Sequence, residues 1–494
     1  MWTEESTNAV QKIVTTLSVF CIVFLIRAWW NWQTAGLGLK SIPSKGSLGW
    51  PIVGESLSVR RCSGDISFEG WLRERIQKYG TMCKSHLFLK PSILMTTTEE
   101  VKFVFDDPHK QMRNGAPESL KRIFGSTSIF SLEGEDHRHV YKILNDSILM
   151  PELKKKTAEF NRIMRHSLSS WDGQTLDILK PMQTMIFKLM TFNFFGIPWE
   201  GEIADRIASL LYTVVLGPTS LPFYFPGTDF YKAMNAKTRV TELVVPIIRE
   251  LRSAETGRSS KYARSAEKFP YQNLFNIKFN GGKEMISDTG VCDILLSPIL
   301  SGGQGPGTVV ALAIFHLTKN PSMLQKAQAE VDRVRKQKEE LGEADLSVSD
   351  LKDLKYLTQV YNEVLRISTI VPGVGRVATT DIHFNGHVIP KGWFMLAPFV
   401  LIHMDPELYP EPSKFNPDRF ETPPNPGKFL PFGRGYRHCV GRDFTKLVVV
   451  MTLYHILSNF TWDVVSCSGK VQYVPFVKMI GDFQLSIKSR THLL

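Results

Sequence analysis

One cysteine near the carboxyl end of the chain lies in a glycine-rich stretch that also carries cationic side chains. The stretch reads Phe432-Gly433-Arg434-Gly435-Tyr436-Arg437-His438-Cys439-Val440-Gly441. Its glycines allow the backbone to turn tightly and to approach a flat group closely. Arg434 and Arg437 would lower the pKa of the Cys439 thiol, and the thiolate is the form that binds metals. The stretch therefore predicts a thiolate metal ligand, with a buried structural cysteine as the alternative.

Two helices are expected to position this cysteine. Residues 445–457 have helical periodicity, and the positive end of a helix dipole would favour an anion just before it. A second helical pattern covers 350–370 and contains Glu363 and Arg366, which share one helix face. Such ion pairs are common on helices, so this pair is informative only through its position ahead of the cysteine stretch.

The pattern F-x-x-G-x-R-x-C-x-G resembles the haem-binding loop of the cytochrome P-450 family, and each of its fixed positions is matched here. The resemblance implies a mainly α fold with small β-sheets (α+β) and haem b, or iron protoporphyrin IX, as the cofactor. It implies that Cys439 ligates the iron, where a thiolate pushes electron density toward O–O cleavage. Further cofactor contacts are implied for Arg437, Phe432, Gly433 and Gly441.

The resemblance also assigns a structural network. Glu363 and Arg366 would form a buried ion network with Arg419, and this network would hold the chain near the haem. Arg376 would pair with a haem propionate.

A second propionate contact is expected from a helix around residues 134–142. His137 fills the first position of the family's pattern there, but Tyr141 stands where the family has arginine. The propionate partner is left open among His137, Tyr141, Lys142 and Arg138.

The segment that departs most from the family lies between the apolar stretches 291–300 and 308–317. Family members carry an acid and an alcohol on a helix that crosses the distal haem face, and this pair delivers protons to oxygen. Here Gln304 stands at the acid, Gly305 at the alcohol, and Pro306 removes a backbone N–H. Local propensity predicts a loop at 302–307, whereas the apolar flanks favour a long kinked helix. Thr308, one turn further on, and a water over Gly305 are the candidate replacements.

An apolar, aromatic segment at 210–226 resembles the lid over the family's substrate cavity. Gly54-Glu55 and Lys391-Gly392-Trp393 resemble plant microsomal members that oxidise terpenoids and steroids. A largely apolar pocket would suit a rigid hydrocarbon skeleton such as a di- or triterpenoid. The residues predicted to line it are Phe223, Phe225, Val371, Val374, Met479 and Ile480.

Residues 1–40 predict a membrane anchor. The apolar run at about 13–30 approaches the roughly 20 residues that span a bilayer, and tryptophans and basic residues follow it. We expect a retained single-pass helix, with a cleaved signal peptide as the alternative. The positive-inside rule puts the remaining chain in the cytoplasm, and the resemblance implies the endoplasmic reticulum membrane. A proline-rich hinge at 41–57 would join the anchor to a catalytic domain at 58–494.

The net charge of +11 favours acidic partners. No basic block with interleaved aromatic residues is present, which argues against nucleic acid. An anionic lipid surface and an acidic redox partner fit better, and the resemblance implies NADPH–cytochrome reductase as that partner. The six cysteines are scattered without a C-x-x-C pair, which argues against disulfides or zinc and for a reducing compartment.

Three functions are compatible with these features. The first is a monooxygenase that uses O2 on a small hydrophobic substrate and passes protons through water or a substrate hydroxyl. The second is a haem-thiolate enzyme that catalyses rearrangement, desaturation or ring formation. The third is a non-catalytic haem-binding protein. We expect the first, because the electron-accepting motifs are intact and only the proton relay is altered.

Overall fold

The computed structural model describes residues 16, 18–19, 22–27, 43, 45–50, 54–60, 62, 67–147, 150–218, 220–254, 271–279, 281–343, 345–425, 427–468, 470–472, 478–480 and 483–490. The chain divides into two compact units, Met1–Gly115 with Gly373–Pro398, and Ala116–Pro372 with Phe399–Leu494. The expected division into anchor, hinge and one catalytic domain stays a prediction.

Helices dominate the described residues. The α-helices are α1 Ser56–Arg60, α2 Phe68–Tyr79, α3 Thr98–Asp106, α4 Glu118–Phe124, α5 Gly134–Ser147, α6 Met150–Leu168, α7 Leu179–Phe195, α8 Glu202–Val214, α9 Asp229–Ala254, α10 Asp288–Lys319, α11 Pro321–Glu340, α12 Lys355–Ser368, α13 Val400–His403 and α14 Arg442–Asn459. Short 3₁₀ turns lie at Gln272–Asn276, Val348–Lys352, Pro417–Phe420 and Gly435–Arg437.

The strands are short and form small sheets. They are β1 Met82–Leu87, β2 Lys90–Met95, β3 Met112–Asn114, β4 Thr175–Asp177, β5 Lys278–Phe279, β6 Glu284–Met285, β7 Val374–Ala378, β8 Ile382–Phe384, β9 His387–Ile389, β10 Phe394–Ala397, β11 Phe460–Cys467, β12 Lys470–Gln472, β13 Lys478–Ile480 and β14 Phe483–Ser489. The predicted mainly α fold with small β-sheets is confirmed.

The first unit contains a five-stranded sheet in the order β1-β2-β10-β7-β3, in which only β2 and β10 run parallel. The β1–β2 turn falls at Phe88 and Leu89, which adopt left-handed φ values of 53° and 64°. Pro91 lies inside β2. Since β10 pairs with β2 only from Ser92 onward, no ladder bond is required from Pro91 on that side. Strands β8 and β9 form a hairpin around Asn385 and Gly386.

The second unit is built around α10, which packs against α7, α9, α12 and α14. The Ser287 side chain caps its N-terminus by accepting a hydrogen bond from the Gly290 N–H. The long helix predicted from the apolar flanks is confirmed, and the loop predicted at 302–307 is wrong. In the described part of the chain α10 is also the one helix long and apolar enough to span a membrane, but 72% of its apolar window is buried inside the protein. It is therefore a core helix.

Three small sheets complete the second unit. They have the strand orders β11-β14-β4, β12-β13 and β5-β6.

The predicted membrane span lies largely outside the described residues. Of positions 13–30, the structure describes 16, 18–19 and 22–27, and these are helical. Apolar side chains in this piece, including Ile22 and Phe24, are exposed. Part of the hinge at 41–57 and the whole of 255–265 also fall outside the described residues.

Candidate active site

The stretch around Cys439 forms a closed turn ahead of α14. The Cys439 N–H donates to the Phe432 carbonyl at 2.9 Å, and the Gly433 N–H donates to the Leu430 carbonyl at 3.0 Å. Gly433 and Gly435 adopt φ values of 67° and 75°, in the left-handed region that glycine enters without strain. The sequence therefore folds here into a turn that presents the sulfur just before a helix N-terminus.

The Cys439 thiol combines accessibility with partial desolvation. The residue is exposed, yet the surrounding protein removes enough water that burial raises the pKa of the thiol. Its exposure shows that this desolvation is incomplete. The Gly441 N–H and the charge of Arg442 lower the pKa. This lowering was predicted from Arg434 and Arg437, whereas in the structure it comes from the backbone and from Arg442.

Arg437 forms its ion pair and hydrogen bond with groups other than the Cys439 sulfur. Its side chain is only 7% exposed, pairs with the Glu133 carboxylate and donates from Nη2 to the Leu132 carbonyl at 2.9 Å. Its Nε is buried and has no hydrogen-bond partner among the described residues. A buried cationic N–H without an acceptor is costly, so this atom fits the carboxylate of a bound ligand.

Helix α5 brings Tyr141 against the same turn. The Tyr141 hydroxyl lies 2.7 Å from Nε2 of His438. Desolvation, and then the charge of Cys439, raise the pKa of Tyr141 to about 12, so its hydroxyl stays protonated. His137 is buried one turn earlier, whereas Arg138 and Lys142 are exposed. Of the four residues left open as propionate partners, Tyr141 is thus tied to the cysteine turn by a hydrogen bond.

The predicted ion network is present behind the turn. The side chains of Glu363 and Arg366 are fully buried and joined by two hydrogen bonds of 2.7 Å. Arg419 Nε lies 3.5 Å from Glu363 Oε1, which also accepts from the Asn416 N–H at 2.8 Å. The bidentate geometry and the extra donors compensate the desolvation of the carboxylate.

His403 ties this network to the cysteine turn, and sequence reasoning missed it. The Arg366 Nη1 donates to the His403 carbonyl at 2.9 Å. The Leu430 N–H donates to His403 Nε2 at 2.9 Å, so Nδ1 carries the proton and donates to the Thr369 hydroxyl at 3.0 Å. Burial, and then Arg366, lower the pKa of His403 to about 3. A neutral imidazole is therefore part of the support for the turn.

Tyr361 is a second residue that sequence reasoning missed. It lies on α12, and burial followed by the charges of Cys439 and Asp443 raises its pKa well above the ordinary value. Its hydroxyl is buried without a hydrogen-bond partner in the described part of the chain. Its only signal in the sequence is its position two residues before Glu363.

The glycines in the middle of α10 serve close helix packing. A Cβ at Gly303 would overlap the Phe187 ring of α7, and one at Gly302 would overlap Met190. Gly305 makes no such packing contact, since a Cβ there would meet nothing within 4 Å. The glycine-rich segment is therefore a helix–helix contact on one side and open space on the other, which local propensity could not reveal.

Thr308 is not free to replace the missing alcohol. It is buried, its hydroxyl donates to the Gln304 carbonyl at 2.8 Å, and it accepts from Gln183 Nε2 at 3.2 Å. Gln304 is half-buried, and Ser301, one turn before Gly305, is exposed. The sequence analysis did not assign a role to Ser301.

The remaining predicted site residues belong to both compact units. Arg376 is buried on β7 in the first unit, where Val374 begins the same strand. Val371 is 37% exposed, and Phe223 and Phe225 are 57% and 69% exposed in the segment between α8 and α9. Met479 and Ile480 lie on β13, and their side chains fall outside the described residues. The pocket lining stays a prediction, and the exposure of the two phenylalanines gives it no support.

The comparison with protein families decides the identity of the fold. The model of the cytochrome P-450 family matches residues 43–482. The chain belongs to the cytochrome P-450 family. This cytochrome P-450 is 28% identical to abscisic acid 8'-hydroxylase 1 of Arabidopsis thaliana over 87% of this chain and 88% of the relative. It is 29% identical to cytochrome P-450 90D2 of Oryza sativa subsp. japonica over 84% of each chain.

A solved structure shares the architecture. The retinoic acid-bound cyanobacterial CYP120A1 superimposes with a TM-score of 0.78 at 24% identity, and the match covers 91% of this chain and 100% of that one. This likeness shows the fold of a cytochrome P-450.

Membership makes the protein a haem-thiolate monooxygenase with haem b as its cofactor, supplied with electrons by a reductase. The residues present fit that cofactor. An accessible sulfur lies in a left-handed glycine turn, and a buried Arg437 Nε lacks an acceptor among the described residues. Gln304 and Gly305 lie on α10, and their assignment to the positions of the family's acid–alcohol pair stays a prediction.

Proposed function

We propose that this cytochrome P-450 is a membrane-bound monooxygenase that oxidises a small hydrophobic substrate of terpenoid or steroid type. One atom of O2 enters a C–H bond of the substrate and the other leaves as water, which consumes two electrons and two protons. The electrons come from NADPH through NADPH–cytochrome reductase. The observation that carries the proposal is an accessible Cys439 in a turn supported by the fully buried Glu363–Arg366 pair.

Bound haem supplies the oxidation, and the chain supplies orientation, charge and exclusion of water. Cys439 would ligate the iron, and the Gly441 N–H would stabilise its thiolate. Arg437 offers its buried Nε to a propionate. The remaining cofactor contacts that we propose are Arg376, His137, Tyr141, Phe432, Gly433 and Gly441.

The substrate class rests on the relatives and on apolar residues of the chain. The relatives' names include hydroxylases of abscisic acid. The segment between α8 and α9 is rich in aromatic residues, and we propose that it covers a hydrophobic substrate. The carbon that is oxidised depends on pocket shape, which fold-level likeness does not specify.

The anchor at 13–30 places the enzyme on a membrane. The described helical residues 22–27 expose apolar side chains, as a helix in contact with lipid does. Plant members of the family are typically anchored in the endoplasmic reticulum membrane. We propose a single-pass anchor with the catalytic part on the cytoplasmic face.

A second function is favoured by one observation. The Gln304 amide does not ionise, and the Thr308 hydroxyl is held by two hydrogen bonds. A haem-thiolate enzyme that catalyses a redox-neutral rearrangement needs no proton delivery to O2, whereas desaturation or ring formation would still reduce O2 to water and would differ only in transferring no oxygen atom to the substrate. This alternative predicts a product that contains no oxygen atom from O2.

Co-expression with a plant reductase and a panel of terpenoid and steroid scaffolds tests the proposal. We expect the ferrous–CO band typical of the family and a product with one added oxygen. Cys439→Ser is the matched control, because it removes the thiolate with little change in size. Peroxide release without any product from the panel would contradict the monooxygenase assignment.

A further inference from the structure

The middle of α10 presents accessible residues in a helix that is mostly buried. Ser301 is exposed and Gln304 and Gly305 are half-buried, while Leu300 and Gly303 beside them are buried. Spacings of three and four residues put Ser301, Gln304 and Gly305 on one face of the helix. These three residues therefore form an accessible stripe in the middle of a core helix.

The polar side chains on this stripe are not used by the rest of the chain. Neither the Ser301 hydroxyl nor the Gln304 amide makes a side-chain hydrogen bond with a described residue, unlike two other hydroxyls of the same helix. Ser297 donates to the Asp293 carbonyl at 2.9 Å, and Thr308 donates to the Gln304 carbonyl at 2.8 Å. Ser301 is the hydroxyl on α10 nearest to Gly305 that is available to a ligand or water.

Gly305 and Pro306 add open space and a free carbonyl acceptor next to these side chains. A Cβ at Gly305 would meet nothing within 4 Å, so space is open one turn beyond Ser301. Pro306 has no N–H, so the Gly302 carbonyl lacks its usual helical donor. A bound water requires two to four polar partners, and the Ser301 hydroxyl, the Gln304 amide and the Gly302 carbonyl provide that number.

We propose that Ser301, with Gln304 and the Gly302 carbonyl, holds an ordered water in the space at Gly305, and that this hydroxyl–water pair replaces the missing acid–alcohol pair. The inference rests on the proposed monooxygenase function. Ser301 Oγ gives a proton to the water and takes one back from a second water, so the serine is unchanged after each transfer. Ser301 is thus a positioning residue that acts through the water.

The test compares Ser301→Ala with Ser297→Ala, which removes a hydroxyl from the same helix that is already bonded internally. The first readout is the C–O stretch of the reduced, CO-bound protein, which responds to hydrogen-bond donors near the ligand. We expect Ser301→Ala to raise its frequency and Ser297→Ala to leave it unchanged. Equal spectra for the wild type and Ser301→Ala would overturn the proposal.

The second readout is product formed per NADPH. We expect a loss of about tenfold in Ser301→Ala, less than for a full general acid because water replaces part of the relay. Because space is open at position 305, Ser301→Ala combined with Gly305→Thr should recover coupling. Failure of this rescue together with unchanged coupling in Ser301→Ala would overturn the inference. A wild type that forms no oxygenated product would instead refute the proposed function, while the C–O stretch still reports on Ser301.

Discussion

The cysteine turn and the middle of α10 differ in how their polar groups are hydrogen-bonded. Around Cys439, the buried Glu363–Arg366 pair, His403 and the backbone of the turn satisfy one another through short hydrogen bonds. On α10, Ser301 and Gln304 leave their side chains open, and Gly305 adds empty space. Holding the cofactor therefore requires a closed polar network, whereas handling protons requires groups that remain available to water.

Breaking the closed network should have the largest effect. Glu363→Ala leaves Arg366 buried without its carboxylate, which costs about 3–5 kcal/mol and should prevent haem retention. Haem content per protein and the thermal midpoint measure this loss. Glu411→Ala is the matched control, because Glu411 pairs with Lys414 on the surface and should retain normal occupancy. Normal haem occupancy in Glu363→Ala would contradict the supporting role of the network.

Lowering the pH should destabilise the folded protein through the titration of His403. Its pKa is lowered to about 3 in the folded protein, compared with about 6.5 in the unfolded protein. Between these two values the unfolded state binds a proton that the folded state does not bind. Stability is therefore present above about pH 6.5 and falls with decreasing pH by about 1.4 kcal/mol per pH unit until the folded pKa is reached.

Denaturation midpoints between neutral and acidic pH measure this slope. His316 and His455, whose pKa values are lowered to about 4, contribute to the same loss. His403→Gln should therefore flatten the slope in part, because an amide oxygen can accept from Leu430 and does not titrate. The exposed His139→Gln is the control, and a slope identical in both variants would refute the role of His403.

Filling the open site on α10 should have a smaller effect, on coupling only. Gln304→Asp with Gly305→Thr restores the family's acid and alcohol, and the space at Gly305 admits the side chain. We expect less peroxide and more product per NADPH, with haem content unchanged. Gly305→Val separates the hydroxyl from the added volume. Unchanged coupling in the double variant would show that proton supply does not limit this enzyme.

Surface charge should have the smallest effect. Basic residues near the cysteine turn are the candidates for steering the acidic reductase, and of these Lys142 is exposed, whereas Lys446 is half-buried with a pKa lowered by burial. Lys142→Ala should slow reduction severalfold at low salt and much less at high salt, because salt screens exposed charges. Stopped-flow reduction at several ionic strengths measures this, with the exposed Lys391→Ala as control. Salt-independent rates would exclude electrostatic steering.

The sequence predicted the parts of the site that depend on local spacing. Cys439 with its glycines, and Glu363 with Arg366 one turn later, are patterns within single segments. His403 could not be predicted, because its partners Thr369 and Leu430 lie more than twenty residues away on either side. The glycine-rich part of α10 was misjudged locally for the same reason, since the Phe187 and Met190 side chains that require it belong to α7.

Turnover with isotope-labelled O2 is the direct test of the monooxygenase assignment. The wild type with reductase is supplied with the substrate that the panel identifies, and label is measured in product and in water. We predict one labelled oxygen atom in the product and the other in water, with part of the electron flow lost as peroxide. A product free of label would show that the intact thiolate site drives different chemistry, and it would contradict the monooxygenase assignment.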